Sequence, residues 1–481
     1  MITGNKIVSS FIWKLLERFS SQAVSLMVTI ILARLLLPSE FGIVAIITVF
    51  IELANVIIDG GLNTALIQKK EADNLDFSTI LYFSLALSFA LYIILFFAAP
   101  HIASFYDNTI LTPVLRVLSI NLFFNTINAI QRALIAKNML FNKLFYCNLA
   151  AIMTSGCVGT IMAYGGWGVW ALVFQQIANQ FILTVVMWFT VKWRPILRFS
   201  MERFKGLFDY GWKIFLTNLI IAIYENARSL IIGKIYHPST LAFFDRGKQI
   251  PSLAITNFSV SLQTILLPAF SDIQDDKMHV RQLMTHSIKL VNAIILPVLV
   301  CLAVSAKPLV ILLLTEKWLP AVPFLQIFCV AYMLIPIQSA NMSAIKALGY
   351  SNITLKIELL KKFIETIILI VSFLINAYAV AWGIVLYNFI SIAINSYPCK
   401  KSLDYGPKEQ TMDILPYILI SFLMGAIIYT FSFIKMHPGI LLTLQISSGF
   451  IIYIILNIVF NTNGYKYVKP LIKERLHSNH H

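Results

Sequence analysis

The chain has 481 residues, of which 58% are hydrophobic and only 12% charged, with a mean hydropathy of +0.80. Soluble domains carry about 25% charged residues, so this chain has too few to cover a water-facing surface. Its formal charge of +15 invites a nucleic-acid reading, but the basic residues fall in short links between apolar runs, an arrangement suited to anionic membrane lipids.

In chain order the apolar runs lie near 9–36, 40–60, 77–100, 112–134, 144–164, 167–191, 209–235, 249–272, 284–306, 320–340, 356–376, 379–398, 412–434 and 439–461. Each approaches the roughly 20 residues that cross a bilayer as a helix. In hydrocarbon the backbone must satisfy its own hydrogen bonds, which leaves helices or closed barrels. Barrel strands alternate in polarity over about 10 residues, and these runs do not alternate. The expected fold is an all-α polytopic membrane protein of about 14 transmembrane helices. The first run contains Lys14, Glu17 and Arg18 and lacks a compact apolar stretch with a small-residue cleavage site, so no cleavable leader is expected.

The basic residues set the expected orientation. With the N-terminus in the cytoplasm, Lys69, Lys70, Arg132, Lys137, Lys192, Arg194, Arg198, Arg203, Lys361, Lys362, Lys400 and Lys401 fall inside, whereas the links at 101–111, 164–167 and 376–379 contain no Lys or Arg. This asymmetry is the positive-inside pattern, against which Arg34, Lys234, Arg246, Lys248, Lys307, Lys317 and Lys435 are local exceptions. Both termini are therefore expected in the cytoplasm, with the chain in a bacterial inner membrane. The five cysteines form no CxxC pair, so neither a metal site nor a disulfide framework is expected.

An internal repeat follows from paired segments. ARLLLPS at 33–39 matches GKIYHPS at 233–239, with Pro38 opposite Pro238 at an offset of 200. Trp13-Lys14 matches Trp212-Lys213, and Lys137 sits opposite Lys346 at an offset of 209. The division read from this is a six-helix lobe at 1–200, a pseudo-symmetric six-helix lobe at 201–408, a terminal helix pair at 409–461 and a cytoplasmic tail at 462–481. An even number of spans per lobe makes the repeats parallel, related by an axis along the membrane normal.

Polar residues recur at helical spacing within the apolar runs. Lys14, Arg18, Gln22, Ser25 and Thr29 share a face of span 1; Thr48, Glu52, Asn55 and Asp59 share one of span 2. Span 4 carries Asn121, Asn125, Asn128 and Arg132, and span 7 carries Lys213, Thr217, Glu225 and Arg228. A charge at the bilayer centre costs about 2.5 kcal/mol or more, so such groups face a cavity or a partner. A hydrated cavity walled by spans 1, 2, 4 and 7 is the expectation. Plainer readings stand beside it: Lys14 and Lys213 near helix ends snorkel, Glu225 and Arg228 neutralise each other, Glu52 and Asp59 serve as packing partners of Lys14 or Arg18, and the asparagines act as interhelical glue.

Catalytic motifs are absent. The sequence has no Walker A loop, HExxH or GxSxG, and its soluble stretches are too short for a folded extramembrane domain. The expectation is a transporter rather than an enzyme, without a cofactor.

Several blocks of sequence resemble one family. They include ILARLLLPSEFGIVAI at 31–46, GGLNTALIQKKEAD at 60–73, IASFYDN at 102–108, QRALIAKNMLFNKL at 131–144, GGWGVWALVFQQ at 165–176, LLPAFSDIQDD at 266–276, LLLTEKWLPAVPFLQIF at 312–328 and IKALGYSN at 345–352. Together these resemble Wzx-type polysaccharide transporters of the multidrug/oligosaccharidyl-lipid/polysaccharide exporter superfamily, similar to colanic-acid and teichuronic-acid exporters. The resemblance implies fourteen helices and alternating access by a flippase. Its cargo would be undecaprenyl-diphosphate-linked oligosaccharide repeat units, moved from the cytoplasmic to the outer leaflet for O-antigen, capsule or exopolysaccharide. On that reading Arg18, Arg132 and Arg228, with Lys14 and Lys213, are the candidate pyrophosphate ligands. Gln22, Ser25, Asn125 and Asn128 are candidate sugar ligands. Glu52, Asp59 and Glu225 are candidates for coupling to a proton or sodium gradient. Membrane lipids, a polysaccharide polymerase and chain-length machinery are the expected partners of a monomer, and nucleic acid is not. The alternative is an ion-coupled exporter of small amphipathic molecules with the same architecture.

Overall fold

The computed structural model describes residues 4–460, and the tail expected at 462–481 lies outside the described residues. Each of the fourteen expected spans is helical, those at 112–134 and 320–340 each running across two helices, and the chain is a multi-span membrane protein. Twelve helical segments among the described residues are long and apolar enough to cross a membrane. The other two expected spans fall on helices that carry several charges: Asp245, Arg246 and Lys248 on one, Lys356, Glu358, Lys361, Lys362 and Glu365 on the other.

The chain divides into two compact units, Met1–Ala242 and Phe243–His481. The first contains α1 (Gly4–Leu35), α2 (Pro38–Asp59), α3 (Leu62–Gln68), α4 (Asn74–Phe105), α5 (Leu111–Leu118), α6 (Asn121–Asn138), α7 (Phe141–Tyr164), α8 (Val169–Val191) and α9 (Met201–Ile235). The chain crosses into the second unit within α10 (Pro238–Asp272). There follow α11 (Lys277–Val304), α12 (Ala306–Leu314), α13 (Ala321–Tyr332), α14 (Ile335–Ala347), α15 (Ser351–Phe373), α16 (Ala377–Leu403), α17 (Pro407–Thr430) and α18 (Pro438–Val459).

Helix boundaries follow local chemistry. Pro38 opens α2, where its fixed φ suits the first turn and its missing N–H costs nothing. The Leu37 N–H donates to the Glu40 carboxylate at 2.7 Å, satisfying one of the donors a helix start leaves free. Pro238 opens α10 at the corresponding place. The ends of α6 and α14 also match. Leu140 N donates to Ile135 O and Met139 N to Ala136 O; Tyr350 N donates to Ile345 O and Gly349 N to Lys346 O. Both are left-handed caps, with Met139 at φ 56 and Gly349 at φ 79. The caps correspond 210 residues apart, which sets Lys346 opposite Ala136, one residue from the sequence pairing with Lys137.

In the first unit, α7 packs against both α1 and α8. Glycines permit this: a Cβ on Gly156 would meet Val28 of α1 at 2.5 Å, and one on Gly159 would meet Gln175 of α8 at 2.8 Å. Helix α9 lies against α2, α3 and α4. A charged clasp closes one end of this group. Asp76, fully buried, receives Lys69 Nζ at 2.7 Å and Arg203 at 3.6 Å. The neighbouring Asp73 carboxyl is held below its usual range by the Asp76 amide N–H and then by Arg203. The α8–α9 linker is tied to α4 through Ile196 N to Ser78 Oγ at 3.0 Å and Ser200 N to Thr79 Oγ1 at 3.2 Å.

In the second unit α11 packs on α17 and α15 on α16. A buried polar knot joins α14, α16 and α17, where Asn341 and Gln410 exchange amide hydrogen bonds of 2.8 and 2.9 Å beside Ser396. Lys289 of α11 pairs with Asp413 of α17 at 2.8 Å.

Candidate functional site

The polar face of α2 runs through Thr48, Glu52 and Asn55 to Asp59, its last residue. Gly60 (φ 52) and Gly61 (φ 70) then turn the chain through the left-handed region into α3. A Cβ on Gly61 would stand 2.3 Å from the Gly211 carbonyl oxygen of α9, so packing as well as conformation demands glycine. The break leaves the Asp59 carboxylate beside the start of α3. There it accepts a hydrogen bond from Asn63 Nδ2, and the Gly61 N–H also acts on it.

A cavity of about 290 Å³ opens at this point. Asn55 and Asp59 of α2, Asn63 of α3, Ser84 of α4, and Asn125, Thr126 and Arg132 of α6 supply its polar wall, with Ile58 and Ile130 among its apolar lining. Asn125 Nδ2 donates to Asn55 Oδ1 at 3.4 Å, and Ser84 Oγ donates to Ile58 O at 3.4 Å. Ser88 and Thr126 share a hydroxyl–hydroxyl bond of 2.6 Å that fixes α4 against α6. Arg132 keeps its side chain exposed, and the carboxylate acting on it is Glu17 of α1. Glu17 in turn accepts from Asn148 Nδ2 of α7 at 2.6 Å. The wall can therefore offer a fixed cation, amide and hydroxyl groups, and one carboxylate to a polar guest.

Of the residues singled out in the sequence, the structure brings Asn55, Asp59, Asn125 and Arg132 to this cavity. Asn128 faces another way, donating to the backbone and side-chain oxygens of Gln180 on α8 at 3.3 and 3.2 Å. On α1, Lys14 is exposed 5.3 Å from the Phe141 ring, Arg18 and Gln22 are half-buried and Ser25 is exposed. Among the described residues Arg18 makes no ion pair. On α9, Lys213 lies 5.8 Å from the Trp212 ring, Glu225 is exposed and Arg228 is half-buried. Glu52 is exposed on α2. This cavity is thus walled by spans 2, 3 and 4, and the α1 and α9 stripes lie outside it.

Sequence reasoning missed Asn63, Ser84 and Thr126. Asn63 continues the α2 stripe four residues beyond Asp59, but Gly60-Gly61 reads as the end of the helix and hides the continuation. Ser84 and Ser88 are four apart on an otherwise apolar helix, a spacing that puts both on one face.

Comparison with known proteins agrees with this architecture. The family model described as "Polysaccharide biosynthesis protein" matches residues 31–323. The lipopolysaccharide biosynthesis protein WzxC of Escherichia coli (strain K12) is 22% identical over 440 residues, covering 89% of each chain. The teichuronic acid biosynthesis protein TuaB of Bacillus subtilis (strain 168) is 22% identical over 302 residues, covering 62% of each. Among solved structures, the lipid II flippase MurJ in an inward closed conformation superposes with a TM-score of 0.74 at 17% identity, covering 95% of this chain and 99% of that one. An inward-facing multidrug resistance MATE family transporter of the MOP superfamily gives a TM-score of 0.60 at 15% identity, over 83% of this chain and 98% of the other. The shared fold is that of these transporters.

Proposed function

The chain belongs to the polysaccharide biosynthesis protein family, and from that premise we propose that it is a flippase for undecaprenyl-diphosphate-linked oligosaccharide repeat units. The observation that carries the reading is Arg132, an exposed residue on the wall of a membrane cavity whose other polar lining is amides, hydroxyls and one carboxylate. A pyrophosphate needs a fixed, permanently charged donor, which a guanidinium supplies bidentately. Sugar hydroxyls need short polar groups of mixed donor and acceptor character, which Asn55, Asn125 and Thr126 supply. Arg18 and Arg228, with Lys14 and Lys213, are the further cations for the diphosphate along its path, and Gln22 and Ser25 the further sugar contacts. Asn128, bonded to Gln180, acts in this proposal as a helix tie.

The transport cycle alternates two lobes, 1–200 and 201–408, with the 409–461 pair appended, in a bacterial inner membrane with both termini in the cytoplasm. A carboxylate among Asp59, Glu52 and Glu225 couples the cycle to an ion gradient. The chain works as a monomer that hands its cargo to a polymerase and chain-length machinery.

The test is complementation of a strain lacking its repeat-unit flippase, scoring surface polysaccharide and accumulated undecaprenyl-diphosphate-linked intermediate. Wild type restores polysaccharide and clears the intermediate, and Arg132→Ala at equal membrane abundance leaves the intermediate accumulated. Restoration by Arg132→Ala to the wild-type level would defeat the assignment of the anion site. Drug resistance without clearance of the intermediate would favour the small-molecule exporter instead.

A further inference from the structure

The charges of the first unit's cavity do not balance locally. Arg132 is answered by Glu17, but among the described residues Asp59 forms no ion pair. Its hydrogen-bond partner is the neutral Asn63 amide. Elsewhere in the membrane helices Glu358, Glu365 and Asp413 each hold a lysine, at 2.6, 2.8 and 2.8 Å. A carboxylate within a membrane protein that lacks a counter-charge is costly until a cation joins it.

Three further features favour a bound cation, and the third favours a metal ion over a proton. The carboxylate sits on the last residue of α2, where the aligned peptide dipoles of the helix end in negative potential. The chain breaks there at two glycines, the arrangement by which discontinuous membrane helices present oxygens to small cations. Asn63 Oδ1, on a residue of the cavity lining, is closed to solvent and accepts no hydrogen bond, an unsatisfied oxygen at the same break. A proton needs only the carboxylate. Neutral amide oxygens gathered around it suit a weakly charged metal ion, which draws its bonds from several oxygens at once.

We propose that the α2–α3 break is a sodium site, formed by the Asp59 carboxylate, Asn63 Oδ1 and Asn55 Oδ1, with Asn125 orienting Asn55 and water in the cavity completing the shell. Sodium there removes the unpaired charge and satisfies the Asn63 oxygen together. It also bonds α2 to α3 across the glycine turn, so that occupancy stiffens a hinge in the cavity wall. That this ion drives translocation rests on the flippase reading; that it binds does not.

The experiment uses the purified full-length protein in detergent, with thermal unfolding followed as sodium replaces choline at fixed ionic strength. Wild type should gain a saturable rise in Tm with sodium, with potassium at least tenfold weaker. Asp59→Asn, nearly isosteric, should elute as wild type does and lose the sodium response. Asn63→Ala should weaken apparent sodium affinity tenfold or more, which gives a second reading if Asp59→Asn unfolds. No sodium-specific rise in wild type, a full response in either variant, or a rise that follows pH alone would each overturn the sodium site. None of these outcomes touches the complementation result, so the two proposals fail separately.

Discussion

In the first unit Asn128 of α6 donates to the backbone and side-chain oxygens of Gln180 on α8; in the second, Gln338 of α14 donates to the same two oxygens of Asn388 on α16, at 3.4 and 3.3 Å. The amide and its acceptor have exchanged sides, and the bond is kept. The matching caps at Met139 and Gly349 are likewise kept. The cavity lining is not. At the offsets set by the helix starts and caps, Asn55 corresponds to Ile255, Asp59 to Ser259, Asn125 to Ile335 and Arg132 to Met342. Ile255 is 2% exposed, a core residue where the first unit has a cavity wall. Features common to both units hold helices together, whereas of the four lining residues only Asp59 meets a polar counterpart, Ser259, and in the proposed function that first-unit set is where a guest is recognised.

The largest expected effect separates two glycines of similar conformation. Gly61→Ala combines left-handed strain with a collision against the Gly211 carbonyl and should cost about 3 kcal/mol or more, seen as loss of folded protein in detergent melts. Gly349→Ala, with nothing within 4 Å of the added carbon, should cost only about 1 kcal/mol. Equal losses would mean that the α3–α9 contact does not define the first unit.

A contrast in charge pairing comes next. Lys362→Ala removes the lysine of the Glu365 ion pair in a membrane helix and should cost about 2 kcal/mol, below the value for a fully buried pair because the lysine is partly exposed. Asp59→Asn removes no ion pair and should cost less than about 1 kcal/mol in sodium-free buffer. The reverse order in chemical or thermal denaturation would show that Asp59 is a structural charge.

The exchanged amide bond allows a repair test. Asn128→Gln and Gln180→Asn should each destabilise by about 0.6 kcal/mol, and the double variant, which copies the second unit's arrangement, should recover most of the loss. Simple additivity would break the equivalence. The smallest effect is a gain: Met139→Gly relieves a left-handed methionine, copies Gly349 and should add about 0.5–1 kcal/mol.

Much of the fold was legible in the sequence because burial in lipid writes itself as long apolar runs, and each of the fourteen runs is helical. The ends were less legible. Helix α9 begins at Met201 and α10 at Pro238, before the apolar stretches at 209 and 249, since charged turns at helix ends carry no hydropathy signal. The breaks after Ser119 and Tyr332 also escaped notice, because apolar composition continues through them. At the candidate site, spacing put Asn55 with Asp59 and Asn125 with Arg132 on shared faces, and the structure places these four on one cavity. It could not show that Asn128 turns to Gln180, nor that Ser84 of α4 completes the wall, because those facts depend on how helices are rotated against their neighbours.

The most direct test of the central claim is translocation in proteoliposomes, using the native lipid-linked repeat unit extracted from a strain that lacks this chain. Wild type, Arg132→Met and Met342→Arg would be compared by the fraction of lipid exposed to an external glycosidase over time. If recognition belongs to the first unit's cavity, Arg132→Met, which gives that cavity the second unit's residue, should slow exposure tenfold or more, and Met342→Arg should not restore it in the double variant. Wild-type exposure by Arg132→Met would contradict the account.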